Sequence, residues 1–224
     1  MKLIAHEFGQ VLQLIRMEET RPHSGTYPPD ILVAIKERYK FVTAPTDFTV
    51  AGLKDGAKFE VGALQVLDRL IAIKSLGVFN DGLLIACWNT EDAEFIADEF
   101  IDWSIKAFGL RKPTTHIPRK YSSQLVVDFD VSIDHLMAAF SAVCRAYEAA
   151  LEDVAGIKVD MHVQKLILSS DPIGGLPTNQ TSFSIETRVN VPFAERRYFS
   201  VAPLTSAGHL KFLANLENLL RKAT

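Results

Sequence analysis

Residues 69–108 read RLIAIKSLGVFNDGLLIACWNTEDAEFIADEFIDWSIKAF, and this stretch decides the fold. Two apolar runs, 70–78 and 83–88, flank Asn80-Asp81-Gly82. That tripeptide between strand formers is a strong hairpin signal, because Gly82 can take a positive φ without steric cost. Two turn geometries fit it. Asp81-Gly82 can form a two-residue primed turn, or Asn80-Asp81 a type I turn with Gly82 at a bulge. Neither run alternates, whereas a half-exposed antiparallel strand does. Both strands are therefore expected to be covered on both faces, by a second layer of this chain or by another subunit.

A helix follows directly. Asn89 or Thr90 can accept from the free amides of its first turn, and Glu91 and Asp92 suit the positive end of its dipole. Ala93, Ile96, Ala97, Phe100, Ser104 and Phe108 form one stripe, widened by Trp103 and Ala107. Phe95 and Ile101 lie off it, so this helix too is more apolar than one packing face requires. The surplus marks Ile71, Ile73, Leu84, Trp88, Phe95 and Trp103 as interface candidates, because a large exposed apolar patch signals a partner.

Outward from this stretch, 59–66 reads as a strand leading into the hairpin. A short helix begins at Pro29-Asp30 and is closed by Lys40. In 3–17, Ile4, Phe8, Val11, Leu12 and Ile15 fit a helical stripe; 10–17 also alternates, and a helix is the expectation. On the C-terminal side, Arg111, Lys112, Pro113, Pro118, Arg119 and Lys120 lie in an aperiodic basic stretch that reads as a linker. The expected organisation is an N-terminal half over 1–110, a linker over 111–121 and a C-terminal half over 122–224.

The second half reads as a strand over 123–131 and a helix capped by Ser132, followed by strands over 158–169, 182–191 and 198–201. A last helix starts at Thr205 or Ser206. The Ser132 helix carries Ile133, Leu136, Met137, Phe140, Val143, Cys144, Tyr147 and Leu151 on one face. Each half ends in paired strands followed by a helix. The expected class is α+β, with antiparallel sheets, helices packed on one face and two similar strand-strand-helix halves.

Composition narrows the classes of function. The chain has 224 residues, 48% of them hydrophobic and 23% charged, which suits a folded protein with a sizeable core. A net charge of -3 gives no bias toward nucleic acid or an anionic membrane, so the basic stretch reads as a solvated linker and not as a phosphate contact. Cys87 and Cys144 have no metal or disulfide spacing and read as core residues. No signal-peptide pattern is evident, and no apolar run approaches the roughly 18 residues of a membrane span, so a cytoplasmic protein is expected.

One constellation could carry chemistry. Period-two alternation in the strands of the second half puts Asp128, Asp130, Asp160, His162, Glu186 and Arg188 on polar faces. If those strands are neighbours, Asp128, Asp130, Asp160 and His162 could hold Mg²⁺, Mn²⁺ or Fe²⁺ and activate a bound water. The plainer reading is a solvated sheet face with cross-strand charge pairs. In a third, the face meets another protein, with Arg188 as its anchor. No dinucleotide fingerprint, phosphate loop, zinc-helix motif or nucleophile elbow is present, and no cofactor is implied. The functional expectation is a non-enzymatic interaction module, a homo-oligomer or an accessory subunit of a larger complex. The alternative is a metal-dependent hydrolase or small-ligand enzyme.

Overall fold

The structure is a computed structural model, which describes residues 1–15, 20, 28–47, 55–112, 118–133, 138–169 and 182–223. In chain order the elements are β1 (Lys2–Gln13), α1 (Pro28–Arg38), β2 (Ala57–Val66), β3 (Arg69–Phe79), β4 (Gly82–Cys87) and α2 (Thr90–Phe108). Then come β5 (Arg119–Asp128), α3 (Ala138–Ala155), β6 (Lys165–Leu168), β7 (Phe183–Thr187), β8 (Arg197–Ala202) and α4 (Ser206–Ala223). Strand, helix, three strands, helix thus occurs twice. The strand order repeats as well, β2-β3-β4-β1 in the first half and β6-β7-β8-β5 in the second. The fold is α+β, and the pairs β1–β4, β2–β3, β3–β4, β6–β7 and β7–β8 are antiparallel.

The chain divides into two compact units, one of Met1–Ala5, Gln124–Pro203 and Ala207–Thr224, the other of His6–Ser123 and Leu204–Ser206. Each has its own core. In the His6–Ser123 unit, Leu32 and Ile35 of α1 and Ala93, Ile96, Ala97 and Phe100 of α2 join buried side chains of β1 to β4. In the Gln124–Pro203 unit, Leu125, Val127, Ile185 and Tyr198 pack with Leu213, Leu216 and Leu220 of α4.

The N-terminal segment is a strand, not the expected helix. Its residues 9–13 pair with β4 in the register Val11↔Ile85, and no local pattern foreshadows a partner so distant in sequence. Gly9 is required by a close approach. A Cβ there would lie 2.0 Å from the Asn89 carbonyl carbon, at the start of α2.

The hairpin forms where Asn80-Asp81-Gly82 places it, with Phe79 opposite Gly82 and Asn80-Asp81 as the loop. None of these three residues has a positive φ, so the turn is not a primed one. Gly82 is required for another reason, since a Cβ would stand 2.1 Å from the Gln13 carbonyl oxygen. Asn89 is the N-cap of α2, its Oδ1 accepting from the Asp92 amide at 2.7 Å.

β4 is covered on both faces, with Leu83, Ile85 and Cys87 buried at one parity and Gly82 and Ala86 at the other, whereas the missing alternation of β3 has a different cause. Ile71 and Ile73 are buried, and so is Leu76, at the opposite parity. The partner strand changes parity too, from Ala57 and Phe59 to Leu64. The change falls at Val61, which lies in the left-handed region at φ 53. Its carbonyl accepts from the Val42 amide at 3.0 Å, and Thr43 bridges Glu60 beside it. The paired strands turn over at this point, so both ends of the hairpin bury into one core. Leu70 and Ala72 on its other face are exposed.

Three further expectations change. The basic stretch does not run through to 121 as a linker, because β5 begins at Arg119, which pairs with Glu94 and Asp98 of α2. Of the strand expected over 158–169 only Lys165–Leu168 forms, and of 182–191 only Phe183–Thr187. The helix start at Ser132 and the loop over 171–181 reach into positions outside the described residues.

Phe59, Leu76, Ile85 and Val11 form one cross-strand row, all 0% exposed. Leu76→Ala is expected to cost about 2–5 kcal/mol in denaturant unfolding, as for a buried Leu whose site cannot collapse. Val61→Gly should instead raise stability by about 1 kcal/mol, since relief of roughly 1–3 kcal/mol of left-handed strain outweighs about 0.5–1 kcal/mol of added chain entropy. A loss on Val61→Gly comparable to that of Leu76→Ala would refute the turn-over at this residue.

Candidate functional site

Asp128 closes β5, and Asp130 follows two residues later. Arg197, the first residue of the neighbouring β8, donates to both Asp128 oxygens, from Nε at 2.8 Å and Nη2 at 3.1 Å. Asp130 is paired with Arg221 of α4, with the Met1 ammonium 3.5 Å away. That ammonium holds the Asp130 carboxyl below its ordinary range, and Arg221 adds to the effect. The buried Glu217 closes the group, accepting from the Met1 nitrogen at 2.6 Å and from the Asp130 amide at 2.7 Å.

Asp160 and His162 lie in an irregular segment before β6, so strand alternation does not aim them. Their side chains meet each other, His162 Nε2 to Asp160 Oδ2 at 3.2 Å, and the imidazole stacks on Phe193 with centroids 4.5 Å apart. Glu186 pairs with Lys165 across β6–β7 at 2.8 Å. The Arg188 guanidinium lies 5.7 Å from the Phe199 ring. Asp128 thus pairs with Arg197, Glu186 with Lys165 and Asp160 with His162, while Asp130 and Glu217 share the Met1 ammonium. Among the described residues, no three His, Cys, Asp or Glu side chains converge as a metal would need.

The apolar candidates divide by exposure. Ile71 and Ile73, at 3% and 2% exposed, are core side chains held inward by the turn-over at Val61. Leu84 is half-buried. Trp103 belongs to an aromatic cluster with Tyr39, Phe100 and Phe108, its ring 5.0 Å from the Arg38 guanidinium. Trp88 is 50% exposed and carries the Lys74 ammonium 3.6 Å from its ring centroid, while Phe95 is 42% exposed. Cys87 is fully buried, which pushes its thiol up to about 12 and leaves it unreactive.

Two features escaped the sequence reading. The first is α3. Its one-face pattern reads as a core stripe, yet among its described side chains none is buried, and none belongs to the core of its unit. Val143 is 61% exposed, Tyr147 54% and Val154 86%, and Cys144 is only half-buried. The signal available in the sequence was the spacing of four and three between positions 143, 147, 150 and 154. That spacing puts the four on one side of the helix, as it does the buried Ala93, Ala97, Phe100 and Ser104 of α2, so it reveals a stripe and not what covers it.

The second feature is His209, fully buried in α4. Its Nε2 lies 2.9 Å from Ser200 Oγ, whose own proton goes to the Ser184 carbonyl at 2.9 Å. Ser200 is therefore an acceptor toward the imidazole. With both groups sealed from solvent, the pair is structural and not a nucleophile with its base. Burial pushes the His209 imidazole down to about 4.

No helix among the described residues is long and apolar enough to cross a membrane. In comparison with known proteins, the sequence matches no family model and no curated protein.

Two measurements test this geometry. The folded state holds His209 neutral down to about pH 4, so the unfolded chain takes up its proton first as pH falls below roughly 6.5, and stability is lost across that window. Urea unfolding should show a loss on the order of 2 kcal/mol from this group between pH 7 and pH 5, and His209→Gln should flatten the dependence. Parallel pH curves for the two proteins would contradict it. Second, Mg²⁺ or Mn²⁺ is expected to leave the melting temperature unchanged, because a ligand that binds only the folded state must raise it. A saturable rise abolished by Asp128→Asn or His162→Gln would instead establish a metal site.

Proposed function

We propose that the protein is a non-enzymatic interaction module, a homo-oligomer or an accessory subunit of a larger cytoplasmic complex, whose partner is another copy of itself or another protein. The observation that carries this reading is the exposure of Val143, Tyr147 and Val154 on one side of α3. Its counterpart in the first half, α1, buries Leu32 and Ile35 in the core of its unit. Fully burying a Val or Leu side chain is worth about 1.5–3 kcal/mol, so a stripe of several gains substantially from a cover. Exposed apolar patches of this kind mark interaction surfaces. Trp88 and Phe95 add a smaller aromatic surface in the other unit.

The polar groups point the same way. The carboxylates and the imidazole that could have formed a reactive cluster are engaged in ion pairs, hydrogen bonds and ring contacts of their own. The buried serine–histidine pair is closed to substrate.

The test compares the intact chain with a Val143→Ser, Tyr147→Ser, Val154→Ser variant by light scattering and affinity capture. An assembly or specific partner retained by the intact chain and lost by the variant is expected. A monodisperse monomer that retains nothing under either condition would overturn the reading.

A further inference from the structure

We draw no further inference here: the strongest candidate, the end strand β6 with its exposed Ile167 and Leu168, carries nothing, because nothing in the structure shows what covers it.

Discussion

The first half depends on a single backbone departure. Paired antiparallel strands present alternate residues to one face, so a hairpin that is apolar at nearly every position would leave half of that surface in water. With Val61 in the left-handed region, the pairs on either side of it reach the core at opposite parities. Phe59 and Leu76 pack from one end, Leu64, Ile71 and Ile73 from the other. A left-handed β-branched residue costs roughly 1–3 kcal/mol, whereas each large side chain kept from water repays about 1.5–3 kcal/mol, so the balance favours the turn-over. Backbone groups displaced by it are met by the 39–43 segment, through Val61 to Val42 and Ala63 to Tyr39.

The two halves show what the same order of elements permits. Both run strand, helix, three strands, helix, with the same strand order. In the first, the helix after the opening strand buries its apolar side and ends beside Tyr39 and Phe41, which are themselves buried. In the second, the helix at the same place contributes no described side chain to the core, and β6 after it leaves Ile167 and Leu168 exposed. The repeat is thus one of topology and not of packing. The difference lies in what the equivalent helix covers.

Where local chemistry decides the conformation, the sequence was readable. Asn80-Asp81-Gly82 placed the hairpin, Asn89 capped α2, and alternation placed β7. Reading failed where the deciding partner is distant. Ile4, Phe8, Val11, Leu12 and Ile15 imitate a helical stripe, and the pairing of residues 9–13 with β4 that holds them as a strand has no local signal. Parity in β3 could not show the turn-over, because a change of face and a cover on both faces produce the same apolar run. Asp160 and His162 looked aligned because alternation was extended beyond Lys165, where the strand begins. The stripe of α3 was visible, but amphipathic spacing states only that one side seeks cover, not whether the cover belongs to the same chain.

The remaining step is one of magnitude. Partly exposed ion pairs such as Asp128–Arg197 and Lys165–Glu186 each contribute about 0.2–1 kcal/mol, and salt weakens them. They organise the polar side of the second half around Asp128 and Glu186. Several buried polar groups are likewise committed: Glu217 to the Met1 nitrogen and the Asp130 amide, His209 to Ser200, and Thr90 and Ser206 to each other through reciprocal bonds from Ser206 N at 2.6 Å and Thr90 N at 3.0 Å, whereas the buried Thr187 Oγ1 has no hydrogen-bond partner among the described residues. The exposed Val143, Tyr147 and Val154 of α3 stand apart from this accounting, since burial would lower their free energy by more than any of these surface pairs supplies. Exposed apolar side chains of this half lie on α3 and also on β6, at Ile167 and Leu168, and burying them against an apolar surface would lower the free energy more than contact with a small polar ligand.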